Sequence, residues 1–215
     1  MINPKNFRAD WLSKTEIGQK IVVLRKQFKV LQRIPIEVLV FAEHDLKLEF
    51  EFASIKAIDQ EALLRPDFTG IVFDNSAFDA NNYHRLRFSV AHELGHYYLH
   101  KNIYGKLDFK NPAQWLNFVD EIPRDQYNRI EWQADEFAGQ LLIPKEALSP
   151  ALDETMRDAK EEGYFHLGAS AVLDFCCRAM HGDFGVSRQA METRLHSAEL
   201  WPHPDLPPAE EASEH

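Results

Sequence analysis

Cysteine is nearly absent from this chain: its 215 residues include two, Cys176 and Cys177, and these are adjacent. Neighbouring cysteines do not bridge each other, so a disulfide scaffold is excluded, and the pair reads as reduced, buried thiols of a cytoplasmic protein. No Cys-based ligand pattern surrounds them. Long hydrophobic runs are also missing. No apolar stretch approaches the ~18 residues of a membrane span, and the N-terminus lacks the apolar core of a signal peptide. Positive charge is short as well: 24 Lys and Arg against 34 Asp and Glu leave a net charge of −10, which argues against a surface built to bind phosphate backbones directly. Several of the acids, Asp205, Glu210, Glu211 and Glu214, sit near the C-terminus. No internal repeat is found. A hydrophobic content of 45% is enough for a real core, and the length suits one domain with appendages.

Against this background one stretch stands out, Ala91-His92-Glu93-Leu94-Gly95-His96. It contains HExxH, the zinc-protease signature. Two histidines four residues apart lie about 40° apart around a helix, so both imidazoles reach one metal, with Glu93 placed to point at a water on it. From the 10 His and 19 Glu of the chain, chance supplies roughly 0.04 such matches. Phe88, Val90, Ala91, Leu94, Gly95, Tyr98 and Leu99 make the surrounding helix, from about Tyr83 to His100, apolar around much of its circumference. That predicts a buried helix. Two histidines and a glutamate there need partners, because unpaired polar groups in a core cost several kcal/mol. One Zn²⁺ per chain would satisfy all three, although Mn²⁺ or Fe²⁺ also suits such ligands.

Zinc in a catalytic site takes a third protein ligand and leaves the fourth position to water. The metzincin solution is excluded, because Leu99 and Asn102 stand where it needs Gly and His. His100 lies about 80° round the helix from His92, and capping the helix C-terminus suits it better. The second apolar helix, around Glu131-Trp132-Gln133-Ala134-Asp135-Glu136-Phe137-Ala138, carries Glu131 and Asp135 on one face. HExxH followed by ExxxD resembles the gluzincins. The resemblance implies that Glu131 ligates zinc and that Asp135 hydrogen-bonds the outer nitrogen of His92, fixing its tautomer. A solvated face formed with Glu136 is the plain alternative.

The wider string is more specific than either motif. Arg87-Phe88-Ser89-Val90-Ala91-His92-Glu93-Leu94-Gly95-His96, with Leu99-His100 after it, resembles the ImmA/IrrE family of zinc metallopeptidases. Their usual pattern is RFTxAHELGHxxLH. The block Glu131 to Pro144, EWQADEFAGQLLIP, resembles that family's ExxAxxFAxxLLMP. Ile34-Pro35-Ile36-Glu37 and Ile71-Val72-Phe73-Asp74 are similar to segments before its zinc helix. Phe184 to Ala190 with Arg194-Leu195 is a fainter match. Ser89 and Gly139 depart from the usual Thr and Ala, and the segment Lys101 to Asn128 is long for the family.

The elements fit such a protein. Ser13-Lys14-Thr15-Glu16 is a capping box, and Ile17, Ile21, Leu24, Phe28 and Leu31 follow at helical spacing. A helix from Pro35 to about Asp45, an alternating strand Lys47 to Phe52, and strands over Glu61 to Leu64 and Gly70 to Phe73 come before the zinc helix. Asn111-Pro112, then Trp115, Leu116 and Phe118, open a helix that is either a lid or tucked on the core. Further helices run to about Leu200, the last capped by Ser187. The fold class is α+β. The resemblance implies a zincin-like core, with a small, mainly antiparallel sheet packed on the HExxH helix and a second metal-ligand helix, and an extended substrate held at a sheet edge. The expected organisation is an N-terminal helix over 1–33, a metallopeptidase core over 34–146, a helical subdomain over 147–200 and a disordered tail over 201–215.

The expected reaction is peptide-bond hydrolysis: His92, His96 and Glu131 on zinc, Glu93 as the base, Asp135 behind His92. An oxyanion donor is also needed, with Tyr97, Tyr98, Arg87, His166 and His181 as candidates beside Arg85 and Tyr127. The resemblance implies a protein substrate, a helix-turn-helix repressor or an antitoxin encoded nearby. No separate DNA-binding or sensor domain is expected in the chain. Two other classes compete: a non-catalytic zinc protein acting by binding, and a DNA-binding regulator using the helices around Val186-Ser187-Arg188-Gln189-Ala190. The acidic charge disfavours the second, and the complete motif set disfavours the first.

Overall fold

A computed structural model describes residues 3–54, 61–77, 83–101 and 112–206. They form two compact units, Met1–Leu142 and Ile143–His215. Among them no helix is long and apolar enough to cross a membrane.

The first unit begins with a short 3-10 turn, Pro4–Asn6, followed by a segment without regular structure that leads into α1, Lys14–Gln27. The capping box is present in full: Ser13 Oγ accepts from the Glu16 backbone N–H, and Glu16 reaches back to the Ser13 N–H. Ile17, Ile21 and Leu24 form the buried stripe. The helix expected from Pro35 is instead a short helical turn, Val38–Val40, continued by a π-type turn over Phe41–Asp45.

Three strands follow: β1, Glu49–Ala53; β2, Ala62–Leu64; and β3, Gly70–Asp74. The sheet order is β1-β3-β2. β3 pairs parallel with β1 and antiparallel with β2, so the sheet is mixed where a mainly antiparallel one is expected. Residue alternation tells which side chains share a face but not which neighbour a strand chooses. Phe50 and Phe52 of β1 meet Phe73 of β3 on one face. Glu49 and Glu51, on the other, bind Arg65.

The long helix α2, Tyr83–Leu99, buries Leu86, Val90, Ala91 and Leu94 completely. After it come α3, Pro112–Glu121, and α4, Arg124–Leu142. α2 and α4 pack against each other, and Gly95 makes the close approach possible. A Cβ at Gly95 would stand 2.8 Å from Ala134 Cα and 3.0 Å from its carbonyl oxygen, too near for any other residue. α3 is tucked in rather than free-standing: Phe118 lies in a cluster with Phe7, Ala9, Ile122 and Ile130, its ring edge-on to Phe7. The side chains of Trp115 and Leu116 and all of residues 102–111, within the segment expected to be long, lie outside the described set.

The second unit contains α5, Lys145–Glu161; α6, Ala169–Phe184; and α7, Arg188–Ser197. Gly185, at φ 64, ends α6 in the left-handed conformation that glycine adopts without a Cβ clash. Ser187 caps α7 by accepting from the Ala190 N–H. Leu148, Leu152, Met156, Val172, Cys176 and Leu195 are buried. Burial pushes the Cys176 thiol up to about 11 and Cys177 to about 12, so both remain protonated and packed. Of the expected tail over 201–215, residues 201–206 are described: buried His203 donates through Nε2 to Asp153 at 3.1 Å. Residues 207–215 lie outside the described set.

Candidate metal centre

α2 and α4 present one set of donors to each other. His92 and His96 leave α2 one turn apart with their Nε2 atoms 3.0 Å from each other. Glu131, on the facing side of α4, places Oε2 3.3 Å from His92 Nε2 and Oε1 3.6 Å from His96 Nε2. Donors held ~2.0–2.1 Å from one tetrahedral cation stand ~3.3 Å apart, and this triangle matches that spacing. Among the described residues these three side chains are the group with metal-binding geometry. Their chemistry fits too, since two imidazoles and one carboxylate make a familiar donor set for zinc.

Both histidine rings have their outer nitrogens engaged. His92 Nδ1 lies 2.8 Å from Asp135 Oδ1. A carboxylate accepts, so Nδ1 carries the proton and Nε2 is turned to the cluster. Burial by itself would lower the His92 pKa, but hydrogen bonds to Asp135 and Glu131 and the charge of Glu93 overcome it and raise it to about 10. His96 Nδ1 lies 2.9 Å from His100 Nδ1. His100 is only 1% exposed. It does not serve as a solvated helix cap, because α4 covers it and Gln133 meets its Nε2 at 2.9 Å. Burial holds His96 well below the ordinary imidazole range and takes His100 down to about 4, with the charge on His92 adding to both. Gln133 stands two residues after Glu131 on the same helix, about 200° round from it, a place that carries no chemical signal in the sequence.

Glu93 points the other way round α2, toward the sheet. Its Oε2 accepts from the backbone N–H of Leu64, on edge strand β2, at 2.7 Å. Burial pushes its carboxyl up to about 7, against the opposing pull of His92 and the Leu64 N–H. A carboxyl group poised there exchanges protons readily near neutral pH.

The remaining sequence candidates go to different places. Arg87, 2% exposed, donates to the Ile36 carbonyl at 2.7 Å and pairs with Glu37. Arg85 pairs with Glu61. Tyr98 stacks between Phe41 and Phe137, and burial raises its pKa further. Tyr97 lies against Phe68, with the Lys101 ammonium over its ring. His166 and His181 belong to the second unit, where His166 is in the turn Tyr164–Leu167 and His181 Nδ1 lies 3.0 Å from the Val186 carbonyl. Tyr127 packs against the cluster of Phe7 and Phe118, with the Arg124 guanidinium over its ring. It shares a face of α4 with Glu131 and Asp135 at four-residue spacing. Burial and then the nearby charge of Glu131, with Glu93 and Asp135 contributing, raise its pKa.

Comparison with known proteins agrees with this geometry. Residues 56–196 match the peptidase M78 family, described as the IrrE N-terminal-like domain. Metallopeptidase ImmA of Bacillus subtilis (strain 168) is 32% identical over 96 residues, 44% of this chain. The match spans 50% of that relative, so the chain covers about half of its length. Family membership implies a divalent metal, and the His92, His96 and Glu131 cluster is where it would be held. With most of its length matched and a His-His-Glu cluster at the junction of α2 and α4, the chain belongs to the M78 metallopeptidase family, the IrrE N-terminal-like domain.

Proposed function

We propose that this chain is a zinc-dependent endopeptidase that cuts one peptide bond in a specific regulatory protein. The observation that carries the reading is the convergence of His92 Nε2, His96 Nε2 and the Glu131 carboxylate within 4.8 Å of one another, beside a buried carboxyl on the same helix.

In this reading His92, His96 and Glu131 hold the metal, and Asp135 orients His92. When bound, a divalent zinc ion supplies Lewis acidity, easing deprotonation of a water and polarising the scissile carbonyl. Glu93 takes the proton of the attacking water and later passes it to the leaving amine, a role its raised pKa suits. The Leu64 N–H keeps one Glu93 oxygen still, which aims the other. β2 is the edge strand beside the base, and an extended substrate segment lying along that edge is brought next to Glu93. We assign the oxyanion donor to Tyr127, since Tyr98 and Arg87 are committed to the core and Tyr127 shares the face of Glu131.

The substrate we infer is a helix-turn-helix repressor or an antitoxin, in line with the resemblance to ImmA and IrrE proteins. Glu93→Gln is the test of the chemistry. It should retain zinc at a 1:1 ratio and lower single-turnover cleavage of the partner by ~10²–10⁴-fold. A Gln variant that cleaves at the normal rate would sink the mechanism. For the substrate, the chain is incubated with a helix-turn-helix repressor from its own genome, with zinc and with chelator. A single metal-dependent cut is expected, and an uncut repressor would remove that assignment.

A further inference from the structure

Behind His96 runs a chain of hydrogen bonds that ends at the N-terminal segment. Gln133 Nε2 donates to the Asp10 carbonyl at 2.8 Å. A carbonyl can only accept, so this contact decides which way the Gln133 amide points, and its Oε1 faces His100. His100 Nε2 lies 2.9 Å from that oxygen and must therefore carry the proton. In a neutral ring this leaves His100 Nδ1 as an acceptor. His96 Nδ1, 2.9 Å away, must then donate, and the lone pair of His96 is placed on Nε2, the atom facing His92 and Glu131. The three side chains of the series are buried, Gln133 and His100 at 1% exposed and His96 at 4%, and the series ends on the backbone of Asp10, an exposed residue. The Asp10 end is held in place as well. Ala9 N donates to Gln126 Oε1 at 2.9 Å, and Arg129 donates to the Ala9 carbonyl at 3.1 Å.

We propose that Gln133 and His100 are positioning residues that set the tautomer of His96, with the Asp10 carbonyl fixing the polarity of the whole series. Polarity matters because the reverse arrangement is useless to a metal. If His100 donated to His96 Nδ1, a neutral His96 would carry its proton on Nε2 and could not ligate there. The buried amide thus does for His96 what a carboxylate commonly does for a metal-bound histidine. It does so without placing a charge in the core, where an unsatisfied or charged group is costly.

The proposal rests on the metal-site reading above, and the experiment separates the two. Long-range ¹H–¹⁵N spectra of the metal-free protein should find His96 protonated on Nδ1 and His100 on Nε2; His96 protonated on Nε2 would overturn the relay without any variant being made. Zinc affinity is then measured by chelator competition for the wild type, Gln133→Leu, His100→Leu and His100→Asn, with thermal unfolding of each to establish that it is folded. Leu at either position should weaken zinc ~10–100-fold. His100→Asn, which returns an oxygen acceptor near the Nδ1 position, should recover most of that loss. Unchanged affinity in the folded Leu variants would overturn the relay alone, whereas a wild type that binds no zinc would overturn the metal-site reading itself.

Discussion

His92 and His96 leave the same helix one turn apart, yet their outer nitrogens meet opposite surroundings. Asp135, behind His92, is an exposed carboxylate, its side chain 59% accessible. Behind His96 lie two neutral groups sealed between α2 and α4. Both arrangements leave Nε2 turned to the same point. The difference follows from burial. At the rim, water and the neighbouring charges tolerate an anion, and the anion raises the basicity of the ring it holds. In the interior a lone carboxylate would lose its hydration, so the same orienting task falls to an amide and a neutral imidazole. One motif therefore has a charged, wet side and a neutral, dry side.

That contrast can be broken most severely at the donor the two sides share. Glu131→Ala removes the third ligand we propose and should weaken zinc by more than the ~100-fold that marks the upper end for an outer partner, read by chelator competition. An affinity within tenfold of the wild type would mean that another residue is the third ligand. A smaller and more selective effect is expected on the wet side. Because the His92 pKa is raised to about 10, that ring holds an extra proton throughout the neutral range, and a metal must displace it. Affinity should thus rise about tenfold per pH unit through that range, falling as pH drops. Asp135→Ala removes a support of the charged ring, so it should bring the plateau to lower pH while weakening zinc about tenfold at high pH. The same pH dependence in wild type and variant would argue that Asp135 does not govern His92. The smallest effect is on both sides together. Gly95→Ala places a methyl group against Ala134 and should destabilise the fold by about 1–3 kcal/mol, measured by denaturant unfolding, since α4 carries the partners of both histidines. An unchanged midpoint would mean that the helices separate without cost.

The parts of this centre differ in how far they can be read from the chain. His92, Glu93 and His96 are legible because helical periodicity alone brings them to neighbouring positions, and the apolar residues around them announce a buried helix. Glu131 and Asp135 are legible as a pair on one face, and their link to the first motif came from family resemblance. Gln133 was not legible. It becomes significant only when α4 lies against α2 at the separation Gly95 allows, and nothing local marks a glutamine as a partner for a histidine 33 positions earlier. His100 reads as a helix cap from its position and is a core residue in the fold. Two of the oxyanion candidates, Arg87 and Tyr98, are engaged in packing for a related reason: their positions on α2 turn them toward Ile36 and toward Phe41 and Phe137. The mixed sheet was hidden as well, because strand patterning carries no information on the direction of the neighbour.

By itself, then, the sequence determined the reaction class it points to, the helix that carries the motif, and the proposed ligands spaced within single helices, because those relations repeat every 3.6 residues and need no partner. The tertiary structure alone decided which atoms stand behind each histidine, which way the buried amide points and where Glu93 finds its backbone donor on β2. Those are contacts between segments distant in the chain, set by how closely helices and strands can pack, and local patterning does not encode them.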